Sequence, residues 1–379
     1  MKATGTDTMK NEIKYEKSEL ELMTTYQLRE ICRREKIMNG VIHPLDKEEL
    51  IQTIMRYMGK RQDFFICDKK KGGEERVEEF LKKTRIVIKP CKELYCQSQI
   101  LAYEGLSIEY YDGYTIPYKK ELAGTNAFLI GSDKTLCAIL NLKEHGGKQE
   151  KLYLTKAAEL ETRETQRKDY RIFCMGRQNS ECMYHLYYGE QTILPEHIEV
   201  YSIPLIDFVV RKPVTLMLPM AIDFGSVNTT AGVYLDSAYF EHVGQQAAIK
   251  NCRENEINYT VFEDGAGESM LLPSVIGVLA VEEEDDKLLF GYDAIRLANA
   301  SYVDEGFCVF YDVKRWIGEY DKEEEIVDRQ GRRRLVKRAE ILRRFFLYII
   351  RKTENRFKCR ISQVHISSPV KQKHYFRRM

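Results

Sequence analysis

The chain has 379 residues, two to three times the length of an ordinary domain, since roughly 150 residues per domain is the working prior. Hydrophobic residues make up 44% and charged residues 31%, a composition that excludes an intrinsically disordered protein. Lys and Arg number 59 and Asp and Glu 58, so the net charge of +1 argues against a nucleic-acid coat and an acidic solubilising protein. We expect two or three globular units whose charged contacts are local.

No targeting or membrane segment is expected. The N-terminal residues MKATGTDTMKNE are polar, and the apolar run Val214–Ile222 is far shorter than the roughly 20 residues of a membrane span. These features predict a cytoplasmic protein without membrane contact. The ten cysteines contain no C-x-x-C pair and the seven histidines no H-x-x-x-H pair, so we predict reduced thiols and no His/Cys metal cluster.

Composition and periodicity divide the chain into successive segments. In the first part, Thr24 with Gln27 and Asp46 with Glu49 form predicted capping boxes that open two short amphipathic helices. A further helix is predicted to end near Lys83. The predicted segments are a flexible tail (1–18), a helical module (19–60), a linker with a helix (61–83), a β-rich domain (84–212) and an α/β unit (213–379).

The β-rich domain is predicted from short β-branched and tyrosine-rich runs separated by turn signals, a pattern typical of a sandwich or a barrel. A helix over 157–167 is expected to interrupt it, and no motif in this domain carries chemistry. The predicted strands include 85–89, 106–110, 127–130, 151–155, 184–188 and 198–201.

The α/β unit has segregated charges and one long helix. Residues 254–328 hold 5 basic and 20 acidic side chains, a net charge of −15, and residues 329–379 hold 17 basic and 2 acidic, a net charge of +15. This complementarity favours an intramolecular or solvated role for Arg332–Arg334 over a nucleic-acid site. Apolar residues at four-residue spacing predict a helix over Lys337–Phe357.

The segment from Met220 to Leu235 is the most informative for chemistry. An apolar strand ends in Asp223, a small turn follows, and a second β-rich run departs. Gly225 permits a close approach of the backbone to a polyphosphate, and the amides of Ser226, Val227 and Asn228 are predicted to point into one concavity. Asp223 would hold a hydrated Mg²⁺ ion. An ordinary hairpin turn is the alternative interpretation.

Residues 220–376 resemble the first lobe of the nucleotide-binding domain of the seventy-kilodalton heat-shock chaperones, within the actin-like ATPase superfamily. The resemblance rests on five motifs in the family's order. They are Asp223–Thr229 (first phosphate motif), Leu272–Gly277 (T-P-S strand), Leu289–Ala294 (I-G-x-x-A), Phe310–Gly318 (F-D-x-K-R-x-I-G) and Val364–Pro369 (the strand after the long helix).

The resemblance implies ATP and Mg²⁺ as ligands, with Asp223 on the metal side and Gly225–Asn228 as the phosphate loop. Lys314 falls on the family's catalytic lysine, whose cation would stabilise the transferred phosphoryl group. A surface salt bridge from Lys314 to Asp312 or Glu319 is the alternative. Pro369 falls on the proline that couples nucleotide state to lobe movement, and Arg315 is expected to form a structural ion pair.

The family's second phosphate motif, adenosine-binding glycines and second lobe have no counterpart in the 379 residues. A one-lobed site does not exclude water from ATP, so hydrolysis is expected only if a second lobe or a protein partner completes the site. The family's C-terminal peptide-binding domain has no counterpart either.

Residues 22–37 and 47–54 resemble a SAP domain, a small helical module associated with DNA binding. This resemblance implies phosphate contacts from Arg33, Arg34, Lys36 and Lys47 and a salt-sensitive affinity. A helical protein-interaction module with solvated basic side chains is the alternative.

The sequence thus predicts a multidomain α+β protein with a small helical N-terminal module, a β-rich middle domain and a C-terminal α/β, ribonuclease-H-like partial lobe of the actin-like ATPase type. The first functional hypothesis is a chaperone-like protein that binds magnesium-ATP. The second is a non-enzymatic adaptor that binds DNA or protein through the N-terminal module and the β-rich domain.

Overall fold

A computed structural model describes residues 15–34, 46–58, 64–97, 99–145, 150–165, 169–244, 249–263, 268–282, 286–299, 307–328 and 330–367. The helices are α1 (Lys17–Leu22), α2 (Thr25–Arg34), α3 (Lys47–Met58), α4 (Gly73–Lys83), α5 (Arg177–Tyr188), α6 (Ser237–Val243), α7 (Tyr292–Asn299) and α8 (Arg338–Phe357).

The first nine strands are β1 (Arg85–Lys89), β2 (Gln99–Tyr103), β3 (Thr115–Pro117), β4 (Thr125–Gly131), β5 (Leu136–Lys143), β6 (Lys151–Thr155), β7 (Tyr170–Met175), β8 (His197–Arg211) and β9 (Val214–Leu216). The next seven are β10 (Met220–Phe224), β11 (Asn228–Leu235), β12 (Glu256–Tyr259), β13 (Phe262–Glu263), β14 (Glu268–Ser269), β15 (Leu272–Pro273) and β16 (Ile276–Ala280). The last six are β17 (Lys287–Phe290), β18 (Val309–Phe310), β19 (Glu323–Val327), β20 (Arg333–Lys337), β21 (Cys359–Ile361) and β22 (Val364–Ile366).

This is a mixed α/β protein whose chain divides into two compact units. The first unit comprises Met1–Gln62, Val275–Tyr311 and Asp321–Arg338. The second unit comprises Asp63–Ser274, Asp312–Tyr320 and Ala339–Met379.

In the first unit, α1, α2 and α3 enclose a small apolar core of their own. Both predicted capping boxes are confirmed, because Thr24 and Gln27 exchange hydrogen bonds of 2.8 and 3.3 Å, and Asp46 and Glu49 exchange bonds of 3.0 and 2.8 Å. The core residues are Leu20, Leu28, Ile31, Cys32, Leu50, Ile51 and Ile54. The same unit holds the sheet β17-β16-β18 and the hairpin β19-β20.

The second unit contains an eight-stranded sheet in the order β1-β8-β7-β4-β5-β6-β3, with β2 beside β8. Successive side chains along a strand point to opposite faces of this sheet, as the geometry of an extended chain requires. Phe128 and Phe173 face α4 and α5, and Leu129 and Ile172 face a second apolar cluster. Among the described residues no hydrogen-bonded pair joins β1 to β3, and helices α4 and α5 cover one face of the sheet. The sandwich or barrel stays a prediction.

Three local predictions in this region are wrong. Residues 184–188 lie in α5, which ends because Gly189 adopts a left-handed conformation (φ 74°) and donates to the carbonyls of the last turn. Residues 106–110 supply only an isolated bridge, from Ile108 to Lys156. The described part of 157–167 contains no helix, and the Arg163 amide donates instead to the Cys137 carbonyl.

A second sheet, β12-β11-β10-β22, lies in the same unit, with β15 also paired to β11. Strands β10 and β11 are antiparallel, and β22 returns parallel to β10. The predicted long helix is confirmed as α8, and its Phe345 and Phe346 rings pack 5.9 and 5.1 Å from the Phe224 ring. These three buried aromatic rings therefore pack together at the end of β10.

Candidate functional site

The predicted phosphate loop is the connection between β10 and β11. The Gly225 amide donates to the Asn228 carbonyl at 3.1 Å and closes the turn. A Cβ atom at position 225 would lie 2.2 Å from that carbonyl oxygen, so only glycine permits this closure. The need for Gly225 is therefore explained by the turn itself, before any ligand is considered.

Ser274, which follows β15, donates two hydrogen bonds to carbonyls of the turn. Its Oγ donates to the Gly225 carbonyl at 2.8 Å, and its amide donates to the Val227 carbonyl at 2.8 Å. The same Oγ lies 2.9 Å from the hydroxyl of Thr229, and both side chains are buried. Ser274 thus binds two carbonyls of the turn, those of Gly225 and Val227.

The amides of Ser226 and Val227 differ from the carbonyls of the turn, because no described residue binds them. Ser226, Val227 and Asn228 are exposed, and the residue Val227 is 74% accessible to solvent. Within the described ranges, the amides of Ser226 and Val227 have no hydrogen-bond acceptor. Consecutive amides without acceptors beside retained carbonyls are the arrangement that binds an anion.

Asp223 is exposed at the end of β10 and is oriented by a serine that sequence reasoning did not select. The Ser367 hydroxyl donates to Asp223 Oδ1 at 2.5 Å and accepts from the Phe224 amide at 3.1 Å. The Ser367 amide donates to the Ile222 carbonyl at 2.8 Å, which continues the parallel pairing of β10 with β22. Asp223 Oδ2 has no partner among the described residues and is open to a metal-bound water.

These groups meet at one edge of the sheet. Asp223 and Ser367 lie at the carboxyl ends of two neighbouring parallel strands, β10 and β22, and the turn Gly225–Asn228 follows directly. In open α/β sheets this edge is where ligands bind. The structure thus brings together Asp223, the predicted phosphate loop, Ser274 and Ser367.

A magnesium ion fits this set of donors. Mg²⁺ keeps most of its waters and takes one or two carboxylates together with phosphate oxygens, so the single exposed carboxylate of Asp223 is sufficient on the protein side. Nowhere in the described part of the chain do three His, Cys, Asp or Glu side chains converge to hold a metal ion directly.

Lys314 lies in a 3₁₀ turn, Val313–Glu319, and is partly exposed. It forms no hydrogen bond or ion pair with any described residue, so the alternative salt bridge to Asp312 or Glu319 is absent. Arg315 pairs with Asp312, as predicted. No hydrogen bond ties Lys314 to the turn Gly225–Asn228, and its assignment as a catalytic lysine stays a prediction.

Three of the four predicted DNA-contacting side chains of the N-terminal module already have intramolecular partners. Arg33 pairs with Glu30 at 2.7 Å, Arg34 donates to the Tyr15 hydroxyl at 2.6 Å, and Lys47 donates to the Glu21 carbonyl at 2.7 Å. Lys36 and Pro369 lie outside the described residues.

The arginine cluster Arg332–Arg334 is intramolecular, as the charge pattern predicted. Arg332 pairs with Asp328 at 2.6 Å, Arg333 with Glu325 at 3.3 Å, and Arg334 with Asp286. Asp286 and Asp328 are buried, so Arg334 and Arg332 neutralise carboxylates that water does not reach.

No protein-family model matches this chain, and no curated protein matches it either. No helix among the described residues has both the length and the apolar character needed to cross a bilayer. All ten cysteines are free thiols.

Proposed function

We propose that this protein binds a magnesium–nucleoside triphosphate, ATP by its resemblance to the seventy-kilodalton heat-shock chaperones, at the turn Gly225–Asn228. The observation that carries the proposal is the division of the turn's backbone groups. Ser274 binds the carbonyls of Gly225 and Val227, whereas Ser226 and Val227 are exposed residues whose amides have no acceptor among the described residues. A phosphate group supplies the missing acceptors.

Each residue of the site has a distinct role in this proposal. The amides of Ser226 and Val227 bind phosphate oxygens, and Gly225 allows the close approach of the backbone. Asp223 binds the hydration shell of Mg²⁺ through its open Oδ2, while Ser367 holds Oδ1 in place. Mg²⁺ neutralises the phosphate charge when it is bound.

The mixed sheet and the helix α8 beneath it support the predicted lobe of the actin-like ATPase type. Hydrolysis has a further requirement, because this site is open to water on one side. We propose that hydrolysis occurs only when a second lobe completes the site, and that Lys314 then stabilises charge on the transferred phosphoryl group. A chaperone role in the cytoplasm belongs to the same proposal.

Calorimetric titration of the chain with ATP in the presence and absence of Mg²⁺ tests the proposal. We expect magnesium-dependent binding that weakens at least about tenfold in Asp223→Asn, since that variant loses the charge that attracts the metal. Asp321→Asn changes an exposed aspartate outside the site and serves as the matched control.

Absence of binding, even when a second-lobe polypeptide is supplied, would leave the adaptor hypothesis in its place. The observation that favours an adaptor is the separate core of α1, α2 and α3, which gives the N-terminal module the character of a small binding domain. Its ligand would then be DNA or a protein partner.

A further inference from the structure

The hydroxyl of Ser367 has the environment of a nucleophile as well as that of a structural hydrogen-bond donor. It donates to Asp223 Oδ1 at 2.5 Å, a distance at which a carboxylate serves as a general base. Ser367 is an exposed residue at the edge of the sheet. The only other hydrogen bond of this hydroxyl to a described residue is the one it accepts from the Phe224 amide, which fixes the oxygen in position.

The position of this serine matters because of what lies beside it. Ser367 and Asp223 end two adjacent parallel strands, and the turn begins two residues after Asp223, with the Ser226 and Val227 amides lacking an acceptor among the described residues. A triphosphate held by those amides would lie at the same sheet edge as the Ser367 oxygen. Proximity of this kind replaces a bimolecular encounter with an intramolecular step.

We propose that Ser367 accepts the γ-phosphoryl group of the bound nucleotide, a self-modification that rests on the proposed function of the turn. The Ser367 oxygen forms a bond to the γ-phosphorus, and the bond between that phosphorus and the β,γ-bridging oxygen breaks. ADP leaves with the electron pair, and the hydroxyl proton passes to Asp223 Oδ1. No further oxidant, reductant or co-reactant is needed.

The modification regulates the site that produces it. A phosphoserine carries a charge of about −1.5 to −2 at neutral pH, and at position 367 that charge lies against the Asp223 carboxylate. Like charges at this distance disfavour the approach of a second triphosphate. Phosphorylated protein therefore binds magnesium-ATP more weakly than unmodified protein.

The test is incubation of the purified chain with magnesium-ATP, followed by peptide mass spectrometry. We expect one phosphoryl group on residue 367, at an initial rate per molecule that does not change on dilution of the protein. Ser367→Ala removes the label and Ser367→Thr restores it on threonine, whereas Ser362→Ala, an exposed serine on the same segment, leaves labelling unchanged. At saturating nucleotide, Asp223→Asn lowers the rate at least about a hundredfold, because the amide accepts a hydrogen bond but not the proton.

Calorimetry on the same samples gives an independent readout. We expect Ser367→Glu to weaken magnesium-ATP binding at least about tenfold and Ser362→Glu to leave it unchanged, on the basis of the like charges at Asp223. Binding of magnesium-ATP with no label on residue 367, or with the label on Ser226, would overturn this inference and leave the proposed function standing. Absence of binding would overturn both.

Discussion

The Ser274 hydroxyl donates to the Gly225 carbonyl at 2.8 Å, and this contact connects the turn after β10 to the strand β15. The hydroxyl is buried, and it also meets the Thr229 hydroxyl. Ser274 therefore binds the carbonyls of the turn and leaves the amides of Ser226 and Val227 available to a ligand. The phosphate-binding proposal depends on this arrangement.

We expect Ser274→Ala to lower the free energy of unfolding by about 1–3 kcal/mol, because it leaves the Gly225 carbonyl and the buried Thr229 hydroxyl without a partner. Magnesium-ATP affinity should fall as well, since residue 274 then binds the turn only through its backbone amide, which donates to the Val227 carbonyl. Urea unfolding and calorimetry measure the two effects. Ser362→Ala, which removes one hydrogen bond to the Leu216 carbonyl at an exposed position, should show no loss of nucleotide affinity.

Gly225→Ala should abolish nucleotide binding at a cost in stability of about 1–3 kcal/mol, because the added methyl group collides with the Asn228 carbonyl and opens the turn. Gly176→Ala is the control, since a Cβ atom there meets nothing within 4 Å. Thermal unfolding and calorimetry on both variants report the result. Unchanged affinity in Gly225→Ala would show that the closed turn is not the binding element.

The second unit contains a buried ion pair between Lys358 and Asp112 at 2.8 Å, and Lys358 also donates to the Ser107 carbonyl. We expect Lys358→Met to lower the free energy of unfolding by about 3–5 kcal/mol, because it leaves a buried carboxylate unpaired. Lys83→Met breaks the exposed pair with Glu79 and should cost less than about 1 kcal/mol. Equal losses in the two variants, measured by urea unfolding, would contradict this assignment.

Lys156 is buried, and its ammonium donates only to the Ala157 carbonyl among the described residues. Burial lowers the pKa of Lys156 from 10.5 to about 8, so between these values the unfolded chain keeps a proton that the folded chain has lost. The contribution of Lys156 to folding stability therefore rises with pH over this window.

Lys156→Met should be more stable than the natural chain at pH 7, by up to about 3 kcal/mol, and the difference should shrink between pH 8 and 10.5. Urea unfolding across this range measures it, with Lys151→Met at an exposed position as the control. A difference that stays constant with pH would show that Lys156 is not desolvated.

The N-terminal module should bind duplex DNA only weakly and only at low salt, because Arg33, Arg34 and Lys47 each have an intramolecular partner that a phosphate would have to displace. Fluorescence anisotropy over a salt series tests this expectation. Tight binding that persists at high salt would contradict it and would favour the adaptor hypothesis.

Local sequence signals determined the elements whose causes are themselves local. The two capping boxes, the apolar stripe of α8 and the charge complementarity behind Arg332–Arg334 are set by residues close in the chain or by simple electrostatics, and all three appear in the structure. The segment around Asp223 and Gly225 was recognisable for the same reason, since a strand, a small turn and a second strand form one continuous motif.

Tertiary structure decided what depends on distant partners. The run 184–188 has strand-like residues, yet it forms part of α5 because that helix covers apolar side chains that the sheet presents on one face. Ser274 and Ser367 are separated from the turn by about 50 and 140 residues, and the pairing of β15 and β22 with the sheet brings them to it. Such pairings arise from burial and hydrogen bonding summed over whole sheets, and no short stretch of sequence contains that information.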